Sequence, residues 1–535
     1  MSSKAPPSPD FGPALRNPTM LAAALALFDN RLHDAEPLLR KRLKENPFDV
    51  AAIRMMAEVA GRIGRLKDAE TLLRRAIVLA PGFLAARSNL ATVLYRQHRV
   101  KDSLAELDTL LEYEPNDVGS ANLRAAALGQ IGNYEEAIAL YEHVLRRASK
   151  HPKIWMSYGH ALKTVGRQGD SITAYRKAIG FAPQLGEVWW SLANLKTVKF
   201  DDADIAAMEA ALGKPDLSDE DRFHLHFALG KAYEDRRVAE TAFGHYARGN
   251  ALRREALDYS AEDTSAHVDA AIALLTPEFL GARAGMGCTA ADPIFILGMP
   301  RAGSTLIEQI LSSHSMVEGT MELPDMPAIA KRLGTIEHWP QRLTTSSADA
   351  LARMGENFIE TTRIQRKTDT PFFIDKLPNN WMNIALILLI LPNAKIIDAR
   401  RHPLGCCFSN FKQHFARGQG FSYSLDDMGH YYADYVRLMA HVDAVAPGRV
   451  TRVIYEDMVE DSEAQTRALL DTLGLPFEEA CLRFYENDRA VRTPSSEQVR
   501  QPIFKDGTEQ WQMFAPWLGP LEEALGDVVA GYSDN

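Results

Sequence analysis

The residues with the clearest chemical meaning lie in a glycine-rich loop that follows a short apolar run. Residues 294–297 are apolar, the loop reads Gly298-Met-Pro-Arg-Ala-Gly-Ser-Thr305, and an amphipathic helical pattern follows at once. In a strand–loop–helix arrangement, the N–H groups of the loop and the positive end of the helix dipole bind phosphate groups. The sequence therefore predicts an anion-binding loop.

The loop differs from the common nucleoside-triphosphate loop, G-x-x-x-x-G-K-[ST], at one position. Gly298 and Gly303 have the right spacing, but Ser304 stands where the lysine belongs, and the cation of the loop is Arg301. The sequence also has no Asn-Lys-x-Asp motif, and no apolar strand pattern offers a convincing carboxylate for Mg²⁺. These departures weigh against a nucleotide kinase or NTPase, which stays open as the alternative enzyme class.

Residues 397–411 indicate a second anion site. Asp398 ends an apolar run, but Arg400 and Arg401 follow it, which suits an anion better than a metal ion. Arg401 falls at the predicted strand end, and Ser409 follows about two helical turns later. A guanidinium and a hydroxyl in these positions can bind one phosphate through charge-assisted hydrogen bonds.

Composition limits the classes of protein to consider. The chain has 535 residues, of which 46% are hydrophobic and 24% charged, and its net charge is −10. This length predicts two or more domains, and the negative charge argues against a nucleic-acid partner. The four cysteines lack metal-ligand spacing and indicate a reducing compartment, so we expect a cytoplasmic protein without a metal. The longest apolar run, 384–391, is too short to span a membrane, and residues 1–15 are predicted to form a disordered lead.

The first half of the chain repeats every 34 residues. Small residues form two series and proline a third: Ala35, Ala69, Ser103, Ala137 and Ser171; Ala23, Ala57, Ala91, Ala125, Gly159 and Ala193; Pro47, Pro81, Pro115 and Pro183. Each period contains two helical patterns, in which small residues allow close helix contact and proline ends the second helix. About five or six units fill residues 16–255.

These units resemble tetratricopeptide repeats, whose period is also 34 residues. The unit that matches best contains Trp155, Gly159, Ser171, Tyr175, Ala178 and Pro183. The resemblance implies an all-α, right-handed solenoid. Its surface would bind a protein partner or the acceptor, or it would only scaffold or dimerise the second domain, and the sequence does not separate these alternatives.

Residues 292–535 alternate between apolar runs and helical patterns. Strands are predicted at 294–297, 372–374, 395–398 and 449–454, and helices near 304–313, 381–391, 404–415, 425–446 and 464–473. The alternation predicts an α/β domain with a central parallel sheet, P-loop-like at its first loop, and a ligand at the carboxyl ends of the strands. Residues 256–291 are predicted to connect the two domains, with one helix near 265–275. The predicted fold class is thus multidomain, an all-α solenoid followed by an α/β domain.

Two phosphate sites on one sheet, without a metal site, resemble the sulfotransferases that use 3′-phosphoadenosine 5′-phosphosulfate (PAPS). The similarity covers residues 292–535 and is greatest to the tyrosylprotein sulfotransferase branch and to bacterial repeat–sulfotransferase fusions. In that family the first loop holds the 5′-phosphosulfate, and a strand-end arginine with a later serine holds the 3′-phosphate. The resemblance assigns the first role to Arg301, Ala302, Gly303, Ser304 and Thr305, and the second to Arg401 and Ser409.

The resemblance also implies catalytic residues. Glu322 lies at the distance from Arg301 where the tyrosylprotein branch has its catalytic glutamate, although Met321 replaces the neighbouring glutamate of that branch. A carboxylate there would take the proton of the acceptor hydroxyl, and Glu318 is its local competitor. Lys376, in a Lys-x-Pro element, would stabilise the charge of the leaving group together with Arg301.

Further contacts to the donor are implied near the end of the chain. Tyr455 begins a Tyr-Glu-Asp stretch that resembles a strand end lining the nucleotide site. Ser496, Arg500 and Lys505 lie in a stretch that resembles a C-terminal lid over PAPS. These residues complete the implied cofactor site.

The resemblance implies a transferase that moves a sulfuryl group from PAPS, as cosubstrate, to an acceptor hydroxyl. The acceptor would be a protein tyrosine, another peptide, a saccharide or a small phenol. The alternatives are a nucleotide kinase or NTPase on the modified loop, and a repeat scaffold that has lost activity. The interpretation requires Arg401 to lie beside the glycine loop.

Overall fold

The computed structural model describes residues 16–415, 418–487, 489, 491, 493, 496–503 and 508–534. Residues 1–15, predicted to form a disordered lead, and Lys505, a predicted donor contact, lie outside the described residues. The chain divides into two compact units. The first contains the chain up to Lys163 together with Arg167–Phe181, and the second contains Thr164–Gly166 together with the chain from Ala182 onward.

The first unit is built of paired helices. They are α1 (Pro18–Phe28), α2 (Leu32–Glu45), α3 (Val50–Arg62), α4 (Leu66–Leu79), α5 (Leu84–Arg96), α6 (Val100–Tyr113), α7 (Val118–Gln130), α8 (Tyr134–Arg147), α9 (Pro152–Thr164) and α10 (Gln168–Phe181). The periodic small residues lie where paired helices meet: Ser103 Oγ donates to the carbonyl of Ala91 at 2.8 Å, and Ser171 Oγ donates to that of Gly159 at 2.9 Å. This arrangement confirms the predicted all-α repeat architecture.

A residue in the left-handed region follows the first helix of each pair at the same period. Asn30, Gly64, His98, Gly132 and Gly166 have φ values from 56° to 82°, and each lies two residues after a helix end. Glycine adopts this conformation without strain, and Asn tolerates it. Because three residue types occupy the position, the sequence shows no periodic series there.

The second unit begins with helices that continue the repeat pattern and then depart from it. They are α11 (Gly186–Ala193), α12 (Asp202–Leu212), α13 (Asp219–Asp235), α14 (Ala239–Glu255), α15 (Ala261–Leu274) and α16 (Pro277–Gly281). Helix α15 matches the helix predicted near 265–275. Helix α11 ends early: its left-handed residue is Lys196, with φ 64°, whereas the period places that residue at position 200.

Within the described residues, five parallel strands form the sheet of the second unit. They are β1 (Pro293–Gly298), β2 (Val317–Gly319), β3 (Phe372–Lys376), β4 (Lys395–Arg400) and β5 (Thr451–Ile454), in the order β2-β3-β1-β4-β5. Central β1 pairs Ile294 with Ile374 of β3 and with Lys395 of β4. The sequence predicts all of these strands except β2, which is only three residues long.

Helices follow or connect the strands. They are α17 (Ser304–Ser312), α18 (Asp325–Leu333), α19 (Trp339–Thr345), α20 (Ala348–Thr362), α21 (Ile384–Ile390), α22 (Pro403–Phe411), α23 (Leu425–Val445), α24 (Tyr455–Glu460), α25 (Ser462–Thr472) and α26 (Gly519–Leu525). The helix predicted from position 381 starts as a 3-10 turn, Pro378–Asn383, and the helix predicted to reach 415 ends at Phe411. No helix in the described part of the chain is both long and apolar enough to cross a membrane.

Successive residues of β1 face opposite helical layers. Ile294 and Ile296 belong to a buried cluster that includes Ile307 of α17 and Leu469 of α25. Phe295 points the other way, and its ring centroid lies 5.4 Å from that of Phe358 in α20. A strand that is covered on both faces is apolar throughout, which explains why β1 is a continuous apolar run in the sequence rather than an alternation of apolar and polar residues.

Candidate functional site

The carboxyl end of each strand carries one of the residues that the sequence singles out. Arg301 follows β1, Glu322 follows β2, Lys376 ends β3, Arg401 follows β4 and Tyr455 follows β5. Parallel strands bring their carboxyl ends to the same edge of the sheet. The topology therefore gathers at one edge residues that are far apart in sequence.

Backbone geometry fixes the loop after β1. Gly298 and Gly303 have φ values of 128° and 96°, and Arg301, at 66°, is also in the left-handed region. A Cβ on Gly298 would lie 2.3 Å from the carbonyl oxygen of Ala399, and one on Gly303 would lie 2.6 Å from the ring of Tyr455. Both glycines are therefore required sterically, and the strained Arg301 marks the loop as a functional candidate.

The side chain of Asn410 is hydrogen-bonded to the backbone of the glycine loop. Its amide nitrogen donates to the carbonyl of Pro300 at 2.7 Å and to that of Cys406 at 2.9 Å. Asn410 is fully buried, so both hydrogen bonds are shielded from water. Helix α22, which carries Ser409, is thereby tied to the glycine loop.

The structure brings the two predicted anion sites together. Arg401 Nη1 donates to the carbonyl of Arg301 at 3.2 Å, and Arg301 Nε donates to Ser409 Oγ at 3.2 Å. The Arg401 guanidinium lies over the ring of Tyr455, 4.8 Å from its centroid. Tyr432 donates its hydroxyl to the carbonyl of Arg401 at 2.7 Å and fixes the backbone there.

The guanidiniums of Arg301, which is half-buried, and Arg401, which is buried, bring two positive charges close together at this edge of the sheet. Burial, and next the charge of Arg401, lower the pKa of Arg301 to about 10. Both effects destabilise the protonated form of Arg301, and an anion bound next to the guanidinium would offset them. The electrostatics of the site favour a multiply charged anion.

A cavity of about 350 Å³ opens beside these groups. Its lining includes loop and sheet-edge residues that the sequence predicts, namely Arg301, Gly303, Ser304, Thr305, Arg401, Ser409 and Tyr455. Ala302 is buried, and its N–H donates to the carbonyl of Met299 at 3.2 Å. The cavity is large enough for part of a nucleotide.

Lys376 and Glu322 form an ion pair outside the lining of this cavity. Lys376 Nζ lies 2.6 Å from Glu322 Oε1, and the lysine side chain is 1% exposed whereas the glutamate is half exposed. Glu318, the competitor for the base, instead accepts hydrogen bonds from the N–H of Thr368, at 3.2 Å, and from its hydroxyl, at 2.8 Å. The carboxylate of Glu318 therefore stabilises the turn at Thr368.

Asp375 directly precedes Lys376 in β3 and is completely buried. Its carboxyl accepts from the N–H of Leu323 and from the side-chain amide of Asn380, both at 3.4 Å. Burial raises the pKa of Asp375 well above its ordinary value. Asp375 therefore links the segment after Glu322 to the strand that carries Lys376.

The C-terminal candidates take different positions. Ser496 is buried, and Arg500 donates to the carbonyls of Thr164, at 3.1 Å, and Arg489, at 3.3 Å; neither residue lines the cavity. Their neighbour Gln498 does line it, and its side-chain oxygen accepts from Arg301 Nη2 at 3.2 Å. Sequence reasoning missed Gln498 because an uncharged amide in a loosely aligned segment gives no signal.

The cavity is also lined by residues that come from the repeats. They are Trp190, Ala193, Asn194, Leu195, Lys196, Thr197, Lys231, Glu234, Asp235 and Tyr246. Glu234 accepts from Lys412 Nζ and from the hydroxyl of Tyr246, both at 2.6 Å. The sequence offers one signal for this role, which is the loss of the 34-residue period after Ala193.

The described residues contain no group of three or more His, Cys, Asp or Glu side chains placed to hold a metal ion. Cys406 and Cys407 are buried, and burial raises the pKa of the Cys406 thiol to about 12. Cys406 is therefore a neutral thiol at physiological pH.

Comparison with known proteins assigns families to parts of the chain. Residues 293–479 match the model of the sulfotransferase family, and residues 64–127 and 122–185 match tetratricopeptide repeats. An uncharacterized protein of Aquifex aeolicus (strain VF5) is 30% identical over 403 residues, which are 73% of this chain and 52% of that protein. The chain thus spans about half the length of this curated relative.

Among solved structures, the sulfotransferase domain from the Synechococcus PCC 7002 olefin synthase is 24% identical. It matches 42% of this chain and 88% of its own, with a TM-score of 0.32. The repeat protein YrrB is 20% identical, over 32% of this chain and 87% of its own, with a TM-score of 0.27. A crystal structure of MamA is 17% identical, over 30% and 95%, with a TM-score of 0.28.

The family matches confirm the two kinds of domain that the sequence predicts. The chain carries tetratricopeptide repeats followed by a sulfotransferase-family domain. The match to the sulfotransferase family begins at β1 and extends past α25, so it includes the glycine loop and the strand ends described above.

Proposed function

We propose that the protein transfers a sulfuryl group from PAPS to an acceptor hydroxyl. One observation carries this proposal: the half-buried guanidinium of Arg301 and the buried one of Arg401 meet beside a glycine loop that has serine at the position of the nucleotide-binding lysine. A donor with phosphate groups at both the 5′ and 3′ positions offers negative charge to both guanidiniums. The match of residues 293–479 to the sulfotransferase family supports the same donor class.

The residues of the cavity fit such a donor. In this proposal the loop residues Arg301 to Thr305 hold the 5′-phosphosulfate, and Arg401 with Ser409 holds the 3′-phosphate. Tyr455 lies under the Arg401 guanidinium and lines the nucleotide cavity. Because Gly303 packs directly on Tyr455, the loop and this aromatic ring form one continuous surface.

Glu322 is the proposed general base, and Lys376 is proposed to stabilise the leaving group. The carboxylate of Glu322 accepts the proton of the acceptor hydroxyl while the acceptor oxygen forms its bond to sulfur. The bond between sulfur and the bridging phosphate oxygen breaks, and adenosine 3′,5′-bisphosphate leaves. Lys376 and Arg301 stabilise the charge that gathers on that oxygen, so positioning and preorganised charge supply most of the acceleration.

The ion pair between Lys376 and Glu322 supports these roles. Buried Lys376 keeps the Glu322 carboxylate in one orientation through a 2.6 Å contact, and half of the Glu322 side chain stays open to an incoming group. A base that is held on one side and exposed on the other suits proton abstraction from a bulky acceptor.

A protein tyrosine is the acceptor that we propose first. The position of Glu322 relative to Arg301 resembles that of the catalytic glutamate in the tyrosylprotein branch, and the tetratricopeptide repeats of the first unit offer a surface for a protein acceptor or partner. A saccharide or a small phenol is the alternative acceptor.

Calorimetric titration tests the donor class. We expect the intact protein to bind adenosine 3′,5′-bisphosphate without added metal and at least tenfold more tightly than ATP–Mg²⁺. A preference for ATP–Mg²⁺ would reject the proposal in favour of a kinase or NTPase.

A transfer assay with ³⁵S-labelled PAPS tests the reaction itself. The acceptors should include a tyrosine peptide, the same peptide with phenylalanine, an oligosaccharide and a simple phenol. Labelling of the tyrosine peptide alone is the expected result. Binding of the bisphosphate without labelling of any acceptor would favour the inactive scaffold.

A further inference from the structure

The repeat pattern breaks at the point where the chain enters the cavity. Helix α11 ends at Ala193, and the four residues 194–197 that follow all line the cavity. Within them, Lys196 has a φ of 64°, a conformation that costs free energy in any residue with a side chain. Glycine occupies the corresponding turn at three of the preceding repeats, at positions 64, 132 and 166.

The side chains of Lys196 and Arg301 donate hydrogen bonds to the same oxygen atom. Lys196 Nζ donates to the side-chain oxygen of Gln498 at 3.4 Å, and Arg301 Nη2 donates to that same oxygen at 3.2 Å. One neutral amide oxygen thus holds a cation from the repeats next to the cation of the glycine loop. Gln498 thus brings these two cationic side chains to one point of the cavity lining.

The other lysines of the cavity are held differently. Lys231 forms an ion pair with Asp235 one turn along α13, and Lys412 forms one with Glu234 at 2.6 Å. Lys196 is the repeat-derived cation that shares its acceptor with the loop arginine.

We propose that Lys196 is a donor-binding residue, which places a third positive charge on the phosphate groups of the nucleotide. This inference rests on the proposed function and extends it, because it makes the last repeats part of the donor site rather than only a scaffold. Lys196, Arg301 and Arg401 together match the high negative charge of a bisphosphorylated adenosine better than two cations would. Gln498 is the positioning residue for Lys196 and Arg301.

The test replaces Lys196 in the intact protein and measures binding of adenosine 3′,5′-bisphosphate by calorimetry. Lys196→Gln should weaken binding about tenfold, the effect of one charge-assisted hydrogen bond at a partly exposed site. Lys196→Arg should restore binding to within threefold, because it restores the charge. Lys199→Gln is the matched control, since Lys199 is exposed, close in sequence and absent from the cavity lining, and its affinity should equal that of the wild type.

Lys196→Gly separates a binding role from a structural one. Glycine favours a φ of 64°, so this variant should melt at the same temperature as the wild type or higher, and it should bind the bisphosphate as weakly as Lys196→Gln. Wild-type affinity in both variants would overturn the inference while leaving the proposed function intact. Failure of the wild-type protein itself to bind the bisphosphate would instead reject the proposed function.

Discussion

Arg301 and Arg401 hold two positive charges at the ends of the neighbouring strands β1 and β4. Their separation is set by the backbone, because Arg401 Nη1 donates to the carbonyl of Arg301. The fold thus holds two like charges together, and both burial and the charge of Arg401 lower the pKa of Arg301. The contribution of each arginine to the binding of an anionic ligand can be measured directly.

Replacing Arg401 should impair binding selectively. We expect Arg401→Gln to weaken the affinity for adenosine 3′,5′-bisphosphate by ten- to a hundredfold, since a charge-assisted contact to phosphate is lost. Arg437→Gln is a suitable control, because Arg437 is exposed, does not line the cavity and pairs with Asp269 and Asp434 instead. Equal affinities of the two variants in calorimetry would show that Arg401 does not contact the ligand.

Glu322 and Glu318 offer a matched pair for testing the base. Glu322→Gln should lower kcat for sulfate transfer by at least a hundredfold and leave the affinity for the bisphosphate unchanged, because it removes a proton acceptor without altering the nucleotide cavity. Glu318→Gln should keep kcat within a few-fold, since Glu318 only caps the turn at Thr368. The reverse order of the two kcat values would identify Glu318 as the base.

Asp375 should make the stability of the second unit fall as the pH rises. Its pKa is raised in the folded state, so the folded protein binds the proton more tightly than the unfolded chain does. Stability is then full below the ordinary pKa of 3.8 and declines as the pH rises above it toward the folded-state pKa. Asp375→Asn should remove this decline.

Thermal melting of both proteins at pH 5 and pH 8 measures this effect. The melting temperature of Asp375→Asn relative to the wild type should be higher at pH 8 than at pH 5. A relative melting temperature that falls with pH would mean that Asp375 is ionised in the folded protein.

The sequence predicts some site residues and misses others for a physical reason. Arg301 and Ser304 stand out because a phosphate loop needs glycine and polar residues at fixed local spacing. Gln498 and Lys196 contact each other across 302 positions of the chain, so no local pattern reveals them. Among the C-terminal candidates, Arg500 lies outside the cavity lining because its guanidinium donates to the carbonyls of Thr164 and Arg489.

At the scale of elements, two helix pairs use the same close contact. A Cβ on Gly159 would lie 2.6 Å from the ring of Tyr175, and a Cβ on Gly230 would lie 2.6 Å from the ring of Tyr246. In both pairs, the absence of a side chain on one helix lets an aromatic ring of the next helix pack on its backbone. Tyr246 also lines the cavity, so this packing supports the site.

Gly230→Ala should therefore destabilise the second unit by about 1–3 kcal/mol, because the added methyl group overpacks against Tyr246. Gly244→Ala provides the control within α14, where a Cβ meets nothing within 4 Å. That control should leave stability unchanged or raise it by up to about 1 kcal/mol, since alanine favours helix. Chemical denaturation followed by circular dichroism gives both values, and equal losses would contradict the packing argument.

Elements with a strong pattern are predicted from sequence, and those without one are not. Strand β1 is a continuous apolar run, and α17 follows it with a clear amphipathic pattern. Strand β2 has three residues and extends the edge of the sheet only because it pairs with β3. The helices α18, α19 and α20 lie in a stretch whose periodicity is interrupted by proline and glycine, which hides them in the sequence.

At the scale of the whole molecule, the boundary between compact units does not coincide with the end of the repeats. Residues from Ala182 to Glu255 belong to the same unit as the sheet, and every residue that lines the cavity lies after position 181. The repeats of the first unit thus form a compact unit of their own, whereas the last repeats contribute to the lining of the cavity beside the glycine loop.

A fragment that starts at Thr164 should keep the donor site. We expect it to bind adenosine 3′,5′-bisphosphate within threefold of the intact protein, whereas a fragment that starts at Asp292 should lose binding along with Lys196 and Glu234. Calorimetry measures both affinities, and circular dichroism verifies that each fragment is folded. A folded fragment from Asp292 that binds as well as the intact chain would show that the repeats contribute nothing to the donor site.

The position of β1 at the centre of the sheet sets an order for folding during synthesis. The helices of the first unit find their partners within a few dozen residues, whereas Ile294 must wait for Ile374 and then for Lys395 to leave the ribosome. Until then β1, whose six residues are all buried in the folded protein, has neither of its neighbouring strands. Contacts of such long range form slowly, so the nascent chain carries an unpaired, aggregation-prone strand until β3 and β4 have been synthesised, and this interval is where chaperones would be needed.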